Sequence, residues 1–376
     1  MRLARILIEN FRVFGAKNEG KNLDLPIQPG LNLLAGENES GKTAVTDALR
    51  LILGTTSLDF MRVTEDDFHK SLGGTAIEFT IYCRFEDLSD DEAARFLEWL
   101  SLEDINPVLE LTLRANRTDR RNKKGISIPF IEYMTSSGPN GTGRALDGSI
   151  RSFLWLTYLK PLRDAEMEMA AGKGSRLSQL LISHPALRGQ EVESEMPTVE
   201  SGKPPSPPET LRGIMAIAEK WIQQSPAIKK AKEQLNKDYL ENLSVGANTL
   251  AGEIAITRRA DLKSILEKLE LWLKSGDQEI ERTRHGLGIN NVLFMAAELL
   301  LLNESIETGL PLLVIEEPEA HLHPQLQIKL MEFLEEKTQG DATVQVIVTT
   351  HSPNLASKAK IENITLMASG CAYPLV

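Results

Sequence analysis

The stretch Gly36-Glu-Asn-Glu-Ser-Gly-Lys-Thr43 decides the fold of this chain. It has the spacing of a phosphate-binding loop, in which four residues separate the first glycine from a Gly-Lys-Thr triplet. The apolar residues 31–35 before it predict a buried strand, and the helical spacing of apolar residues over 43–53 predicts a helix that ends at Gly54. A strand, a glycine-rich loop and a helix in this order predict a nucleotide-binding site, and they disfavour a glycine-rich turn that only precedes a helix.

The loop supplies the residue types that bind a polyphosphate. Its glycines allow backbone N–H groups to turn toward the phosphates, Lys42 can reach the β and γ phosphates, and the Thr43 hydroxyl can bind Mg²⁺. ATP and Mg²⁺ are therefore the expected ligands, and Lys42 is also a candidate catalytic residue. The predicted nucleotide contacts in the loop are Gly36, Asn38, Glu39, Ser40, Gly41, Lys42, Thr43 and Ala44.

A second apolar segment, residues 311–319, ends in carboxylates. Such an end at the carboxyl edge of a parallel sheet places acidic groups where a nucleotide site needs them. Glu316 is the candidate ligand that holds Mg²⁺, directly or through water, opposite Thr43. Glu317 is the candidate general base that activates water for attack on the γ phosphate. The alternative is a strand that simply terminates in a charged turn, and a phosphate-binding loop in the same chain disfavours it.

Three histidines follow apolar segments near the C-terminus of the sequence. His351 comes directly after residues 345–350, where it can donate a hydrogen bond to a γ phosphate or hold the attacking water. A purely structural histidine is the alternative, but the other motifs favour catalysis. His321 and His323 alternate beside Glu319, yet two histidines without a third ligand are weak grounds for a zinc site. A turn that packs at a subunit or nucleotide interface is the favoured interpretation of this pair.

Composition narrows the class of protein. The 376 residues, 41% of them apolar, are enough for one large or two medium domains. The net charge of −11 excludes a global positive field, so any DNA contact must come from a local patch. Two distant cysteines are consistent with a reducing cytosol. The apolar run 292–302 contains Glu298 and is too short to span a bilayer. We therefore expect a cytoplasmic protein with no membrane partner.

The chain is predicted to contain two α/β halves separated by a helical insertion. The halves are residues 1–165 and 256–376, and the insertion is residues 166–255. Glutamates followed by prolines over 190–208 predict a flexible linker within it. The amphipathic faces of the insertion either pack within the chain or form a subunit interface.

Between the two halves of a predicted hairpin, 108–115 and 126–134, lies the densest basic stretch of the chain. Its members are Arg114, Arg117, Arg120, Arg121, Lys123 and Lys124. A solvated hairpin tip is the favoured interpretation, and contact with DNA phosphates is the alternative. Elsewhere the pattern predicts a helix over 87–100 and a strand over 152–159.

The chain resembles the ABC-type ATPases of the SMC/RecF class in four motifs. They are the phosphate loop, the element Ile8-Glu-Asn-Phe-Arg12, the pair Glu316-Glu317 and the strand end at His351. Within that class the chain is most similar to the OLD (overcoming lysogenization defect) family. The motifs that carry this resemblance are Lys160-Pro-Leu-Arg-Asp-Ala-Glu166, His285-Gly-Leu-Gly-Ile-Asn-Asn291 and Glu316-Glu-Pro-Glu-Ala-His-Leu-His-Pro324.

The resemblance implies an α/β ABC-type ATPase head with a P-loop, split by an α-helical insertion. It also implies a homodimer, formed through the heads and the insertion, in which two heads sandwich the nucleotide. Gly286, Gly288 and Asn290 would then contact the γ phosphate held by the other subunit. Glu316 stands where many relatives have aspartate. The transporter signature Leu-Ser-Gly-Gly-Gln is absent from the sequence, which disfavours a transporter subunit.

OLD proteins carry a C-terminal Toprim nuclease domain with clustered carboxylates. This sequence ends soon after His351, so we expect no nuclease activity from the chain alone and expect a Toprim domain in a longer protein or a partner. The leading hypothesis is the Mg²⁺-dependent ATPase module of an OLD-type DNA nuclease that acts in phage defence. The alternatives are an SMC/RecF-like DNA repair or clamp ATPase without nuclease activity, and a nucleotide sensor that regulates a partner.

Overall fold

The computed structural model forms two compact units along the chain. One consists of Met1–Ala165 and His285–Val376, and the other of Glu166–Arg284. The structure describes residues 1–56, 61–103, 106–121, 127–160, 172, 175–183, 187, 189–191, 210–234, 236–237, 261–269, 273–275, 278–280, 295–296, 299, 310–320, 322–338 and 344–375. In these residues no helix is long and apolar enough to cross a bilayer.

The strands of the described residues are, in chain order, β1 (Arg2–Glu9), β2 (Leu23–Pro26), β3 (Leu31–Gly36), β4 (Lys70–Ser71), β5 (Gly74–Thr75), β6 (Glu78–Glu86), β7 (Leu100–Glu103), β8 (Asn106–Arg121), β9 (Ser127–Ser137), β10 (Thr157–Leu159), β11 (Leu273–Ser275), β12 (Gln278–Ile280), β13 (Leu312–Glu316), β14 (Gln345–Thr350), β15 (Ile364–Ala368) and β16 (Cys371–Pro374). The α-helices are α1 (Lys42–Leu53), α2 (Asp90–Arg95), α3 (Gly148–Arg151), α4 (Arg176–Ser183), α5 (Leu211–Gln224), α6 (Pro226–Gln234), α7 (Leu262–Leu266), α8 (Pro324–Lys337) and α9 (Pro353–Ala356).

An antiparallel sheet, built mainly from the N-terminal part of the chain, has the order β2-β1-β6-β8-β7, with β9 also paired to β8. In part of β8, buried and exposed residues alternate, with Leu113 and Ala115 buried and Arg114 and Asn116 exposed. This period of two is what a sheet with one face on a core requires. The predicted hairpin over 108–115 and 126–134 is confirmed and extends further, as β8 and β9.

A second sheet is mainly parallel. Its order is β10-β13-β14-β3-β15-β16, and every pair is parallel except the last. All residues of β13 and β14 are buried, as expected for strands covered on both faces. Because the strands are parallel, the carboxyl ends of β3, β10, β13 and β14 meet at one edge.

Helix α1 contacts strands of both sheets, including β8 and β13, and forms the centre of this unit. Its apolar residues form one broad face, and because Thr46 and Asp47 on the other side are also buried, nearly the whole helix is buried. Phe11, Phe68 and Phe79 close the core at the N-terminal turn, with Phe79 edge-on to the other two rings at centroid distances of 5.0 Å. The helix that the sequence predicts after the loop is therefore also the main packing element of this core.

Two predicted elements are shorter than expected. In place of the helix predicted over 87–100, α2 begins at Asp90, where Ser89 and Glu92 form a reciprocal capping box, and it ends at Arg95. Leu100 then pairs with Leu109 in the antiparallel sheet, so strand pairing overrides the helical pattern. In the predicted strand 152–159, the first residues form the 3-10 turn Ser152–Leu154, and only β10 pairs with the sheet.

In the second unit, Thr210 caps α5 by accepting a hydrogen bond from Gly213 N, and Asp261 caps α7 in the same way with Ser264 N. The compact unit ends at Arg284, whereas the sequence-based boundary of the insertion is residue 255. Most of the linker predicted over 190–208 lies outside the described residues.

Candidate nucleotide-binding site

The loop between β3 and α1 has a backbone that only glycine can form at two positions. At Gly36, an added Cβ would lie 2.3 Å from the carbonyl oxygen of Met367 on the neighbouring strand β15. Gly41 has φ of +106°, in the left-handed region, and directly precedes α1. The loop thus turns sharply into the helix N-terminus, where backbone N–H groups lack helical partners and attract anions.

An open pocket of about 390 Å³ lies against this loop. Its size is in the range of small-molecule sites. It is lined by Arg12, Val13, Asn38, Glu39, Gly41, Lys42, Thr43, Ala44 and Glu317. Six of the eight predicted loop contacts therefore face one cavity, while Gly36 and Ser40 shape the loop behind it.

Lys42 lies inside the loop and is 5% exposed. Its Nζ donates to the carbonyl oxygens of Gly36 and Glu37, each at 2.6 Å. Burial lowers the pKa of Lys42 from its ordinary value, and the carboxylates of Glu317, Glu319 and Glu316 act in the opposite direction. The ammonium is therefore a buried cation held between a loop of carbonyls and three acidic side chains.

Glu316 ends β13 and is 5% exposed. Thr43 Oγ1 donates to its Oε1 at 2.5 Å, across 273 residues of sequence. The hydroxyl of Tyr158, the middle residue of β10, donates to its Oε2. The predicted metal ligands Thr43 and Glu316 thus lie in direct contact, and Tyr158 is a third member of the cluster that sequence reasoning missed.

A charged network behind the pocket was also not predicted. Arg12, on the turn after β1, donates to Asp47 at 2.5 Å and to Asp67 at 2.9 Å. Arg50 donates to the other Asp47 oxygen at 2.6 Å, and its guanidinium carbon lies 4.1 Å from the centre of the Tyr158 ring. Burial acts to lower the pKa of Arg12, but the two aspartates raise it above its ordinary value. The network ties the pocket wall to helix α1.

Glu317 follows Glu316 in a left-handed conformation with φ of +45°, which is uncommon for a residue with a side chain. Its N–H donates to the carbonyl oxygen of Thr349 on β14 at 3.0 Å, so the turn is fixed to the sheet. Non-glycine residues held in this region cluster at functional sites. The turn directs Glu317 into the pocket while Glu316 stays buried at the strand end.

His351 lies at the end of β14, beside two carboxylates. Its Nδ1 is 3.2 Å from Glu319 Oε1 and 3.7 Å from Glu317 Oε1. The same Glu319 oxygen accepts from the Thr350 hydroxyl at 2.6 Å and from the His351 backbone N–H at 2.8 Å. Glu319 is buried, and within the described part of the chain its other oxygen has no hydrogen-bond partner. Glu319 therefore holds the imidazole of His351, the histidine that the sequence predicts to be catalytic.

We expect Glu319→Gln to lower ATP turnover by roughly tenfold to a hundredfold with little change in nucleotide affinity. The amide keeps the shape but removes the negative charge 3.2 Å from His351 Nδ1 and weakens the hydrogen bonds that Glu319 accepts from Thr350 and the His351 N–H. A hydrogen bond to a charged group contributes about 1.5–3 kcal/mol. Steady-state hydrolysis and binding of a slowly hydrolysed ATP analogue measure the two quantities separately. Turnover equal to that of the native chain would rule out this role for Glu319.

Several predicted residues are not placed at this site. Gly286, Gly288, Asn290 and His321, like Lys123 and Lys124 of the basic stretch, lie outside the described residues. His323 caps α8, where its Nδ1 accepts from Gln325 N. Arg114 pairs with Glu78 at 3.2 Å, and Arg117 lies 3.6 Å from Asp119, so this part of the basic stretch is charge-balanced. No cluster of three or more His, Cys, Asp or Glu side chains suited to a metal occurs among the described residues.

Two family models and several curated relatives match this chain. Residues 197–356 match the family model of the AAA ATPase domain, and residues 5–145 match that of the AAA domain. The chain is 25% identical over 380 residues to the OLD nuclease of Thermus scotoductus, covering 97% of this chain and 62% of the relative. It is 21% identical to the endonuclease GajA of Bacillus cereus strain HuB5-5, covering 94% of this chain and 58% of the relative. The chain thus spans about three fifths of the length of these relatives.

Among solved structures, the chain superposes on the Smc head bound to the C-winged helix domain of ScpA with a TM-score of 0.56 and 16% identity, covering 99% of this chain and 97% of the other. The Smc head with an extended coiled coil from Pyrococcus furiosus gives a TM-score of 0.51 and 15% identity, covering 98% and 94%. At these identities the match concerns the fold, and it confirms the predicted ABC-type P-loop ATPase fold. Together with the relatives above, this match supports the predicted resemblance to the OLD-family ATPases of the SMC/RecF class.

Proposed function

We propose that this chain is the Mg²⁺-dependent ATP-binding and hydrolysing module of an OLD-type DNA nuclease, and that its nucleotide state controls how DNA is engaged or cleaved during defence against phage. The observation that carries the proposal is the contact of 2.5 Å between Thr43 Oγ1 and Glu316 Oε1, next to the buried ammonium of Lys42. A hydroxyl and a carboxylate beside a phosphate loop are the parts with which P-loop enzymes hold Mg²⁺ and ATP.

The triphosphate binds at the N-terminus of α1. Backbone N–H groups of the loop and the positive end of the helix dipole attract the phosphates, and Lys42 adds a full positive charge inside the loop. Arg12 lines the same pocket from the opposite wall. An anion of high charge is therefore the ligand that this pocket favours, although the chain as a whole is acidic.

Thr43 and Glu316 fit Mg²⁺, since both offer the oxygen ligands that this ion prefers. They would hold the ion together with phosphate oxygens and water. When bound, Mg²⁺ neutralises charge that develops on the phosphates. The protein prepares this site by holding the buried Glu316 carboxylate between the hydroxyl groups of Thr43 and Tyr158. One carboxylate oxygen is thereby fixed next to Thr43.

Glu317 is the general base in this proposal. Its carboxylate faces the pocket and can orient a water and accept its proton as the water attacks the γ phosphate. His351, fixed by Glu319, contacts Glu317 from the neighbouring strand and can hold the same water or the γ phosphate. Two adjacent strand ends thus supply the groups that handle the attacking water.

The site is completed by a second copy of the chain. By resemblance to the OLD family, Gly286, Gly288 and Asn290 of that copy contact the γ phosphate, so the active form is a homodimer. The insertion, residues 166–255 with its linker at 190–208, is its further dimerisation region between the ATPase halves 1–165 and 256–376. The dimer works in the cytoplasm.

The nuclease part of the proposal rests on the relatives. They are named OLD nuclease and endonuclease, and each is longer than this chain. A Toprim domain, in a longer form of the protein or in a partner, supplies the cleavage chemistry, and the ATPase module controls its access to DNA.

Comparing Thr43→Val with Thr43→Ser tests the proposed function. Valine keeps the shape of threonine without the hydroxyl, whereas serine keeps the hydroxyl. We expect Thr43→Val to lower Mg²⁺-dependent ATP hydrolysis by about tenfold or more and Thr43→Ser to retain most of it. Phosphate release measured over a range of Mg²⁺ concentrations distinguishes the two. Equal rates in both variants and the native chain would exclude metal-assisted hydrolysis at Thr43.

A further inference from the structure

Tyr158 lies one strand away from the proposed metal ligand. It belongs to β10, which pairs in parallel with β13, where Tyr158 is opposite Val314 and Leu159 is opposite Ile315. This register places the ring beside the end of β13, and its hydroxyl donates to Glu316 Oε2. Because Thr43 donates to Oε1, each oxygen of the buried carboxylate has its own hydroxyl donor.

A carboxylate with a donor on each oxygen has little freedom to rotate. The two hydrogen bonds also satisfy carboxylate oxygens that would be costly to bury without partners, since Glu316 is only 5% exposed.

The Tyr158 ring is itself held from the other side. The Arg50 guanidinium packs over it at 4.1 Å and is anchored to Asp47 at 2.6 Å. Asp47 in turn binds Arg12 on the pocket wall. A continuous set of contacts therefore runs from the pocket wall through helix α1 to Tyr158 and ends on Glu316.

We propose that Tyr158 is a positioning residue that fixes the Glu316 carboxylate for Mg²⁺. This inference rests on the proposed function, since it needs Glu316 to be a metal ligand. The inference predicts a larger effect on Mg²⁺ affinity than on the chemical step. The reason is that Tyr158 contacts the proposed metal ligand Glu316 and not Glu317 or His351, which handle the attacking water.

The test is Tyr158→Phe, which removes the hydroxyl and keeps the ring under Arg50. A fluorescent, slowly hydrolysed ATP analogue reports binding as Mg²⁺ is titrated. We expect the Mg²⁺ concentration for half-maximal binding to rise about tenfold, as is typical when a group that orients a metal ligand is lost. In hydrolysis assays, turnover at saturating Mg²⁺ should stay within about threefold of the native rate.

Tyr82→Phe is a matched control. Tyr82 also donates to a buried carboxylate, Glu110, at 2.6 Å, but on the antiparallel sheet away from the pocket. It should leave the Mg²⁺ midpoint unchanged. An unchanged midpoint in Tyr158→Phe, or an equal shift in Tyr82→Phe, would overturn the inference.

If Tyr158→Phe does not fold, Arg50→Gln tests the inference, because it frees the Tyr158 ring but retains the Tyr158 hydroxyl. A Mg²⁺ midpoint raised severalfold in Arg50→Gln supports the inference, and a native midpoint contradicts it.

Measurements on the native chain separate this inference from the proposed function. If the native chain binds nucleotide equally well with and without Mg²⁺, both the proposed function and this inference are contradicted. Mg²⁺-dependent binding in the native chain with no effect of Tyr158→Phe would overturn the inference alone.

Discussion

Replacing Glu317 with Gln is expected to lower ATP turnover by about a hundredfold or more and to leave ATP affinity within about twofold of native. The amide is nearly isosteric with the carboxylate, so the turn at φ of +45° and its hydrogen bond to Thr349 are retained. What is lost is the base that accepts the proton of the attacking water. Because Glu317 lies at the pocket surface and Glu316 is buried behind it, metal binding should survive the change.

Single-turnover hydrolysis and equilibrium binding of ATP, measured on the same preparations, separate catalysis from affinity. Glu332→Gln is the matched control, because Glu332 is an exposed glutamate on α8. It should match the native chain in both assays. If the native chain and Glu317→Gln bind ATP equally and both show almost no turnover, the chain is a nucleotide sensor and not a hydrolase.

Residues 36–43 could be interpreted from the sequence because their function is local. A phosphate loop needs a glycine where a neighbouring strand approaches, as Gly36 does with Met367, and another where the backbone turns left-handed, as Gly41 does. Both demands fall within one short stretch, next to a strand and a helix whose apolar spacing is plain. The carboxylates after β13 and the histidine after β14 could be found for the same reason: each directly follows a buried strand.

Contacts made by distant residues could not be predicted in this way. Tyr158 and Glu316 are 158 positions apart, and only the strand order β10-β13-β14-β3 brings them together. Nothing local distinguishes Tyr158 from another aromatic residue of a buried strand. The role of Glu319 could not be predicted for the same reason. It depends on β14 lying beside β13, which places His351 Nδ1 3.2 Å from Glu319 Oε1.

The early end of α2 shows the same limit for secondary structure. The acidic start of the segment predicts a helix, and in the structure the neighbouring Ser89 caps it through a local contact with Glu92. The point at which the helix stops depends on β8, because Leu100 pairs with Leu109 of that strand. Long-range pairing decides the boundary, whereas local sequence decides the start.

The last prediction concerns the cation of the loop. Lys42→Met should weaken ATP binding by about a hundredfold, because it removes the positive charge that the loop encloses while keeping a side chain of similar length. In the native chain this charge is costly, as the lowered pKa of Lys42 through burial indicates, and the three carboxylates nearby partly offset the cost. A buried cation retained under these conditions is best explained by an anionic ligand.

Calorimetric titration with ATP and Mg²⁺ measures the loss, with Lys70→Met as the control, since Lys70 is an exposed lysine whose surface pair with Asp66 contributes little. The substitution also leaves the carbonyls of Gly36 and Glu37 without the donor they have now, at a cost of about 1–3 kcal/mol in folding free energy. Thermal unfolding without nucleotide separates this structural cost from lost binding, because ATP should raise the melting temperature of the native chain and of Lys70→Met but not that of Lys42→Met. Equal stabilisation of all three by ATP would mean that the phosphates bind elsewhere than in this loop.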